Sequence, residues 1–283
     1  MIDETAEEIA DMQTHSSSDV AVKAARALRE LTGREFPTLD EYHRTLERNS
    51  NALRRANPSH ASLHNSQRQI VEQVTGSDAE TVEAAQSATD AAIDEMVETI
   101  DNAKRRAAER AADELSDGET ILTHDYSTTV VSTIERALAD DLELTVYVTE
   151  ARPRFLGRRM ARALATLDGV ETTLTVDSAS ATVLPNVDRV LLGMTCIVDE
   201  TLYNRVGTYP LAATANELSV PVSVVGSAAK IIDGGFVFEN EFRAASEVMR
   251  EPAEGFDIEN PAYDGTPTRL LDSVVTDEGL TRY

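Results

Sequence analysis

Over residues 1–116 the apolar positions recur every three and four places, as at Ala21, Ala24, Ala25 and Leu28, and strand-like runs are absent. That spacing lays an apolar stripe along one helix face, so this part of the chain is predicted to be a helical domain. Two of its helix starts are written in side-chain chemistry. Thr38 followed by Glu41, and Ser77 followed by Glu80, have the spacing in which a hydroxyl and a later carboxylate each satisfy an unpaired backbone N–H. From Ser77 the pattern runs to Ser116 without Gly or Pro and stops before Gly118. One long alanine-rich helix, connecting this domain to the next, is expected there.

From Glu119 the pattern changes. Short β-rich runs (ETILT, LTVYVT, TTLTV, VDRVLLG and VPVSVVG) alternate with helical stretches that begin at Ser127 and Phe155 and span 208–218. Strands that are apolar on both faces and separated by helices form a parallel sheet covered on both sides. The expected fold class is therefore α/β: an N-terminal helical domain, then a Rossmann-like parallel-sheet domain over residues 117–283. Ligands of such sheets bind outside the carboxyl ends of the strands, which directs attention to the loops after Thr123, Thr149, Gly193 and Gly226.

Composition narrows the function. With 26 Lys+Arg against 50 Asp+Glu among 283 residues, the formal net charge is −24, and such a surface repels phosphate backbones. Direct binding to nucleic acid is excluded on that ground. The acids are dispersed rather than blocked, and lysine occurs only at positions 23, 104 and 230. Both features suit a protein kept soluble in concentrated salt; a basic protein partner, the other reading of an acidic surface, calls for a local block. No apolar run approaches the roughly 20 residues that span a bilayer, and MIDETAEEIADM is acidic where a signal peptide is basic, so a cytoplasmic protein is expected. Cys196, the single cysteine, allows neither an internal disulfide nor a zinc-finger spacing. No metal and no cofactor are expected, and His43, His60 and His64 read as solvated helix residues.

Three loops of the sheet domain hold clusters that could carry chemistry: Thr123-His124-Asp125-Tyr126-Ser127, Glu150-Ala151-Arg152-Pro153, and Asn204-Arg205-Val206-Gly207-Thr208. Arg152 offers a planar fork that matches a phosphate or carboxylate, or it pairs with an acid such as Glu150. Asn204 and Arg205 precede a helix start whose N–H groups favour an anion, or Thr208 simply caps that helix. His124 reads as a buried, hydrogen-bonded histidine. No dinucleotide fingerprint, Walker loop or Gly-x-Ser-x-Gly elbow is present, which leaves nucleotide-driven and hydrolase chemistry without support.

ILTHDYSTTVVSTIERA, VYVTEARPRFLG, VDRVLLGMTCIV, NRVGTYPLAATANELSVPVSVVG and NPAYDGTPTRLLDSVVTDEG resemble, in that order, the initiation factor 2B α/β/δ-subunit and sugar-phosphate isomerase family. That family includes methylthioribose-1-phosphate and ribose-1,5-bisphosphate isomerases. The resemblance covers residues 119–280 well and the helical part loosely. It implies that Arg152 contacts substrate, that the tail around Asn260-Pro261-Ala262-Tyr263-Asp264, which reads as turns, completes a dimer, and that the assembly is a homodimer or larger ring.

The same resemblance assigns the isomerases' proton transfers to a cysteine and an aspartate, and at those positions this chain has Asp125 and Thr195. A buried Asp125 could serve as such a group, but Thr195 is no acid or base near neutral pH. The isomerases' Asn-Lys is Asn204-Arg205 here, and their phosphate-cradling Arg-Gly-Ala turn is matched best by His15-Ser16-Ser17-Ser18. These departures favour a non-catalytic regulatory subunit, a scaffold or sensor that binds a sugar phosphate or nucleotide through Asp125, Glu150, Arg152, Thr195, Asn204 and Arg205. Translation initiation factor 2 is then its expected protein partner. The alternative is an aldose–ketose isomerase of the ribose-1,5-bisphosphate type, with Asp125 as the base.

Overall fold

The computed structural model describes residues 2–11, 16–232, 238–251 and 254–283. The chain divides into two compact units, Met1–Asn102 and Ala103–Tyr283. In the first, α1 (Ile2–Ala10), α2 (Ser17–Ala27), α3 (Leu39–Ala56), α4 (Ala61–Thr75) and the start of α5 (Val82–Ala112) enclose one apolar core. Tyr42, Leu46 and Leu53 show how the stripe works: spaced by four and seven, they lie on one face of α3 and are all fully buried. Thr38 caps α3 as expected, its side chain accepting from the Glu41 N–H at 3.2 Å. The second expected start is corrected. Ser77 Oγ instead closes α4 by donating to the Val74 carbonyl, and α5 begins at Val82 with Thr81 Oγ1 accepting from the Ala84 N–H. His60, read as solvated, is buried just before α4. His15, the first residue of the serine run, lies outside the described residues.

The second unit carries a seven-stranded sheet. In chain order its parts are β1 (Thr120–His124), α6 (Thr128–Leu138), β2 (Leu144–Thr149), α7 (Leu156–Leu164), β3 (Val170–Thr175), the single turn α8 (Ser180–Val183) and β4 (Arg189–Gly193). There follow β5 (Cys196–Val198), β6 (Thr201–Arg205), α9 (Thr208–Glu217), β7 (Val222–Val225), β8 (Ile231–Ile232), β9 (Tyr263–Pro267), β10 (Ser273–Val275) and β11 (Leu280–Arg282). The sheet order is β11-β10-β7-β4-β1-β2-β3, parallel except at β11. Alternate residues serve opposite faces: Ile121 packs with α6 and α7, and Leu122 with α9. The mixed α/β architecture, a helical N-terminal region followed by a mostly parallel sheet, is the one the patterning implied.

A second, four-stranded sheet, β8-β5-β6-β9, was not legible in the pattern. Its strands have two to five residues, too short for a period of two to stand out. The hairpin joining β5 to β6 turns at Asp199 and Glu200, both with positive φ (44° and 60°), the conformation of a two-residue turn that normally announces itself by Asn-Gly. This sheet also corrects two local expectations. Asn204 and Arg205 lie at the end of a strand rather than in a loop, and residues 263–267 of the tail, read as turns, form β9 along that strand.

Candidate active site

β1 and β4 are neighbours, but the chain proceeds from β1 outward through β2 and β3 on one side and from β4 through β7 and β10 on the other. The carboxyl ends of β1 and β4 therefore flank the switch point at which open parallel sheets bind their ligands. The loops there are packed tightly enough to fix side chains. A Cβ on Gly157 would stand 1.8 Å from the Thr149 carbonyl oxygen, and one on Gly193 would stand 2.3 Å from Ser127 Oγ. Asp125, Ala151 and Phe155 all adopt left-handed backbone (φ 68°, 56° and 59°), which residues with a Cβ accept only where the surroundings impose it. Asp177, at the end of β3, holds the second of these loops by accepting from the N–H groups of Ala151 and Arg152 at 2.8 and 2.7 Å.

Of the six residues expected to bind ligand, the fold brings two pairs together. Arg205 donates from Nε to Asp125 Oδ2 at 3.2 Å, across 80 residues of chain. Burial opposes the Arg205 charge, but Asp125, with Tyr263 and Glu241 adding to it, outweighs that and holds the guanidinium above its ordinary value. The other Asp125 oxygen, Oδ1, is buried and has no hydrogen-bond partner. The second pair is structural in its contacts. Asn204 Oδ1 accepts from the Thr195 backbone N–H at 2.9 Å, and its amide donates to the Gly193 carbonyl at 2.7 Å, so this side chain ties β6 to the end of β4.

Glu150 and Arg152 stay apart from each other. Glu150 pairs with Arg158 at 2.8 Å, and Arg152 donates to the Val248 carbonyl at 3.2 Å and stacks over Phe155. The helix start after Arg205, expected to favour an anion or to be capped by Thr208, already has its anion. The Asp264 carboxylate accepts from the N–H of Gly207 at 2.7 Å and of Tyr209 at 3.1 Å, while Thr208 Oγ1 donates to the Arg205 carbonyl. Burial pushes Asp264 up despite those donors.

Sequence reasoning missed two arginines. Arg154, two residues beyond Arg152 in the same block, is the cation that senses the pair: burial pulls its pKa down, Glu247 opposes that, and the charges of Arg243 and Arg205 add to the lowering. Arg243 in turn donates to Glu241 and Glu247 at 2.7 and 3.2 Å. Arg154 was within reach of sequence reasoning, since Arg-Pro-Arg presents two forks at one strand end. Arg243, in a segment without pattern, was not.

A separate cleft of about 250 Å³ opens on the α9 side of β1, lined among others by His124, Thr149, Asp177, Ser180, Pro210 and Leu211. No arginine or lysine lines it, so its chemistry does not suit a phosphate. Among the described residues no cluster of three or more His, Cys, Asp or Glu could hold a metal ion, and no helix is long and apolar enough to cross a membrane.

The fold is that of a known family. The model of the initiation factor 2 subunit family matches residues 13–282, and the chain belongs to that family. It is 34% identical to a ribose 1,5-bisphosphate isomerase of Haloterrigena turkmenica over 97% of this chain and 88% of that one. It is 32% identical to the protein of the same name from Haloferax volcanii, over 97% and 87%. Among solved structures it resembles the translation initiation factor eIF-2B of Pyrococcus horikoshii (TM-score 0.84, 23% identity, 99% of this chain and 96% of that one). It resembles the 5-methylthioribose 1-phosphate isomerase of the same organism almost equally (TM-score 0.82, 24% identity, 99% and 84%).

These findings correct the functional expectation. Fold likeness does not separate a factor subunit from an isomerase. Six curated relatives, 28–34% identical over 97–99% of this chain, carry the name ribose 1,5-bisphosphate isomerase, which overturns the non-catalytic regulatory reading and favours the enzymatic one.

Proposed function

We propose that this protein isomerises a phosphorylated ribose from its aldose to its ketose form, with ribose 1,5-bisphosphate as the substrate, and that Asp125 is its base. The observation that carries the proposal is the Asp125 carboxylate itself. It stands at the switch point, one oxygen is held by Arg205, and the other is desolvated and without a partner. A fixed, desolvated carboxylate of this kind is chemically suited to act as a base toward carbon. The name shared by the curated relatives supports the choice of substrate.

With a phosphate on C1 the sugar is locked as a ring, so the reaction must break the C1–O4 bond. Protons leave C2 and the O2 hydroxyl, and protons arrive at C1 and O4; the atoms balance without an oxidant or reductant. Asp125 Oδ1 is assigned the transfer from C2 to C1. The negative charge that develops on the sugar as C2 loses its proton is met by the field of Arg205 and Arg154, which works at full strength because the site is partly desolvated. Arg152 and Arg154 supply the forks that fit the phosphates. The departure at Thr195 is accommodated in this scheme by giving that residue a backbone role, its N–H anchoring Asn204.

We further infer a homodimer or larger ring in the cytoplasm, with residues 1–116 as a helical domain and 117–283 as the catalytic one, and an acid-rich surface adapted to concentrated salt. The test of the main proposal is direct. In about 1 M KCl, where surface charges are screened within about 3 Å, ribose 1,5-bisphosphate is supplied and ketose formation is followed by NMR. Turnover by the natural protein is expected to fall about 10²- to 10⁴-fold in Asp125→Asn, assayed below the variant's own melting temperature, which is expected to drop because the buried Arg205 charge loses its partner. Full activity in Asp125→Asn removes that residue from the role, and no turnover by the natural protein removes the reaction.

A further inference from the structure

The Asp125–Arg205 bond is one of two that join the same two stretches of chain. One residue earlier, His124 places Nε2 3.0 Å from the carbonyl oxygen of Val206, the residue after Arg205. Its other ring nitrogen, Nδ1, lies 2.6 Å from Thr149 Oγ1 on β2, where His124 and Thr149 are paired in register. A carbonyl oxygen can only accept, so Nε2 carries a hydrogen, while the Thr149 hydroxyl that meets Nδ1 also donates to the Thr123 carbonyl at 3.4 Å. The ring is thereby held from both sides, with Asp177 Oδ1 3.9 Å from Nδ1, and its side chain is 3% exposed.

Two further contacts clamp the far end of this link. Gly207 closes directly over the ring: a Cβ there would stand 2.9 Å from both Cε1 and Nε2 of His124, and φ at Gly207 is +106°. On its amide side Gly207 donates to Asp264 at 2.7 Å. The stretch 205–207 is therefore gripped between His124 and Asp264. Neither grip touches the Asp125 carboxylate, yet both fix the backbone from which Arg205 reaches it.

Resting on the isomerase reading above, we propose that His124 is a positioning residue for the reaction: its Nε2–H, by holding the Val206 carbonyl, keeps the Arg205 guanidinium on Asp125 Oδ2 and so fixes the orientation of that carboxylate. His124 moves no proton in this scheme. Its buried ring meets Thr149, Val206 and, at 3.9 Å from Nδ1, Asp177, on the side of β1 where the cleft without cations opens.

Two substitutions separate this role from simple packing. His124→Gln carries an amide N–H to about the place of Nε2 and preserves the bond to Val206, whereas His124→Asn reaches only as far as Nδ1 and keeps the Thr149 side alone. In His124→Asn, kcat for ribose 1,5-bisphosphate is expected to fall about tenfold to a hundredfold with little change in KM, the size of effect that follows from a misplaced catalytic group, and His124→Gln is expected to recover most of it. The second readout needs no turnover. The Nε–H proton resonance of Arg205, buried on Asp125, is expected to exchange slowly with solvent in the natural protein and in His124→Gln, and to shift and exchange rapidly in His124→Asn.

Equal behaviour of the two variants in the resonance measurement, or an unchanged Arg205 signal in His124→Asn, overturns the proposal. Should the natural protein show no turnover, the isomerase reading fails while the resonance comparison still decides the positioning. If His124→Asn does not fold, Thr149→Val, which keeps the side-chain shape and removes the hydroxyl, takes its place. It is expected to loosen the ring and speed exchange at Arg205, and an unchanged exchange rate would again overturn the proposal.

Discussion

Asp125 and Arg205 were both visible in the sequence as polar residues near strand ends, but not as a pair. Eighty residues separate them, and what brings them to 3.2 Å is the small sheet on which Arg205 ends β6. Arg152 and Glu150 illustrate the converse. Two residues apart, they invited pairing, yet the left-handed turn at Ala151 sends Glu150 to Arg158 and Arg152 to Val248. Local spacing constrains partners only where the backbone is regular. Cys196 carries a prediction at this scale. Burial pushes its thiol up to about 12, only partly relieved by the nearby Lys230 charge, so at pH 8 it is protonated and shielded. A maleimide or iodoacetamide is expected to leave it unlabelled in the folded protein and to label it in urea, with the labelled fraction following unfolding. Rapid labelling of the native protein at pH 8 contradicts that environment.

At the scale of elements, the start of α9 is decided from outside the helix. Gly207 and Thr208 announce a helix start, but the cap that satisfies its N–H groups is Asp264, more than 50 residues later and one residue into β9. The carboxylate also faces the positive end of the helix dipole. Asp264→Ala is expected to cost about 0.5–2 kcal/mol, the range for loss of an N-cap, and Asp264→Asn distinctly less because the amide oxygen still accepts. Urea unfolding of the two variants measures this, and equal stability of Asp264→Ala and the natural protein contradicts the capping role. The contrast with α3 is instructive. Thr38 and Glu41 lie within one turn of each other, so that cap was legible, whereas the box at Ser77 and Glu80 fitted the same spacing and lost to Thr81 nearer the helix.

For the whole molecule, a net charge of −24 makes self-repulsion a term that solvent controls. Raising KCl from about 0.1 to 1 M shortens the screening distance from about 10 to 3 Å, and the melting temperature is expected to rise over that interval. A melting temperature that falls with salt argues that ion pairs such as Arg189–Glu119, rather than repulsion, dominate the balance. The functional correction also belongs to this scale. Judged by two substituted positions, the chain looked like a subunit that had lost its chemistry; judged over its full length, it resembles proteins named as isomerases. A site can be rebuilt around a changed residue, and that is the role proposed for Asp125, which Arg205 holds.

What the sequence by itself determined is the part governed by near neighbours. The period of three to four set the helices, short doubly apolar runs set β1, β2, β4 and β7, and their alternation with helices set a parallel sheet with its working loops at the strand ends. Tertiary structure alone decided which loop residues meet. The β5–β6 hairpin, its pairing with the tail strand β9, the Asp264 cap and the His124–Val206 link each join positions from a few to more than 80 residues apart. Such contacts leave no periodic trace, because they arise when the packed sheet presents two chain ends to each other and the geometry of that meeting selects the hydrogen bonds.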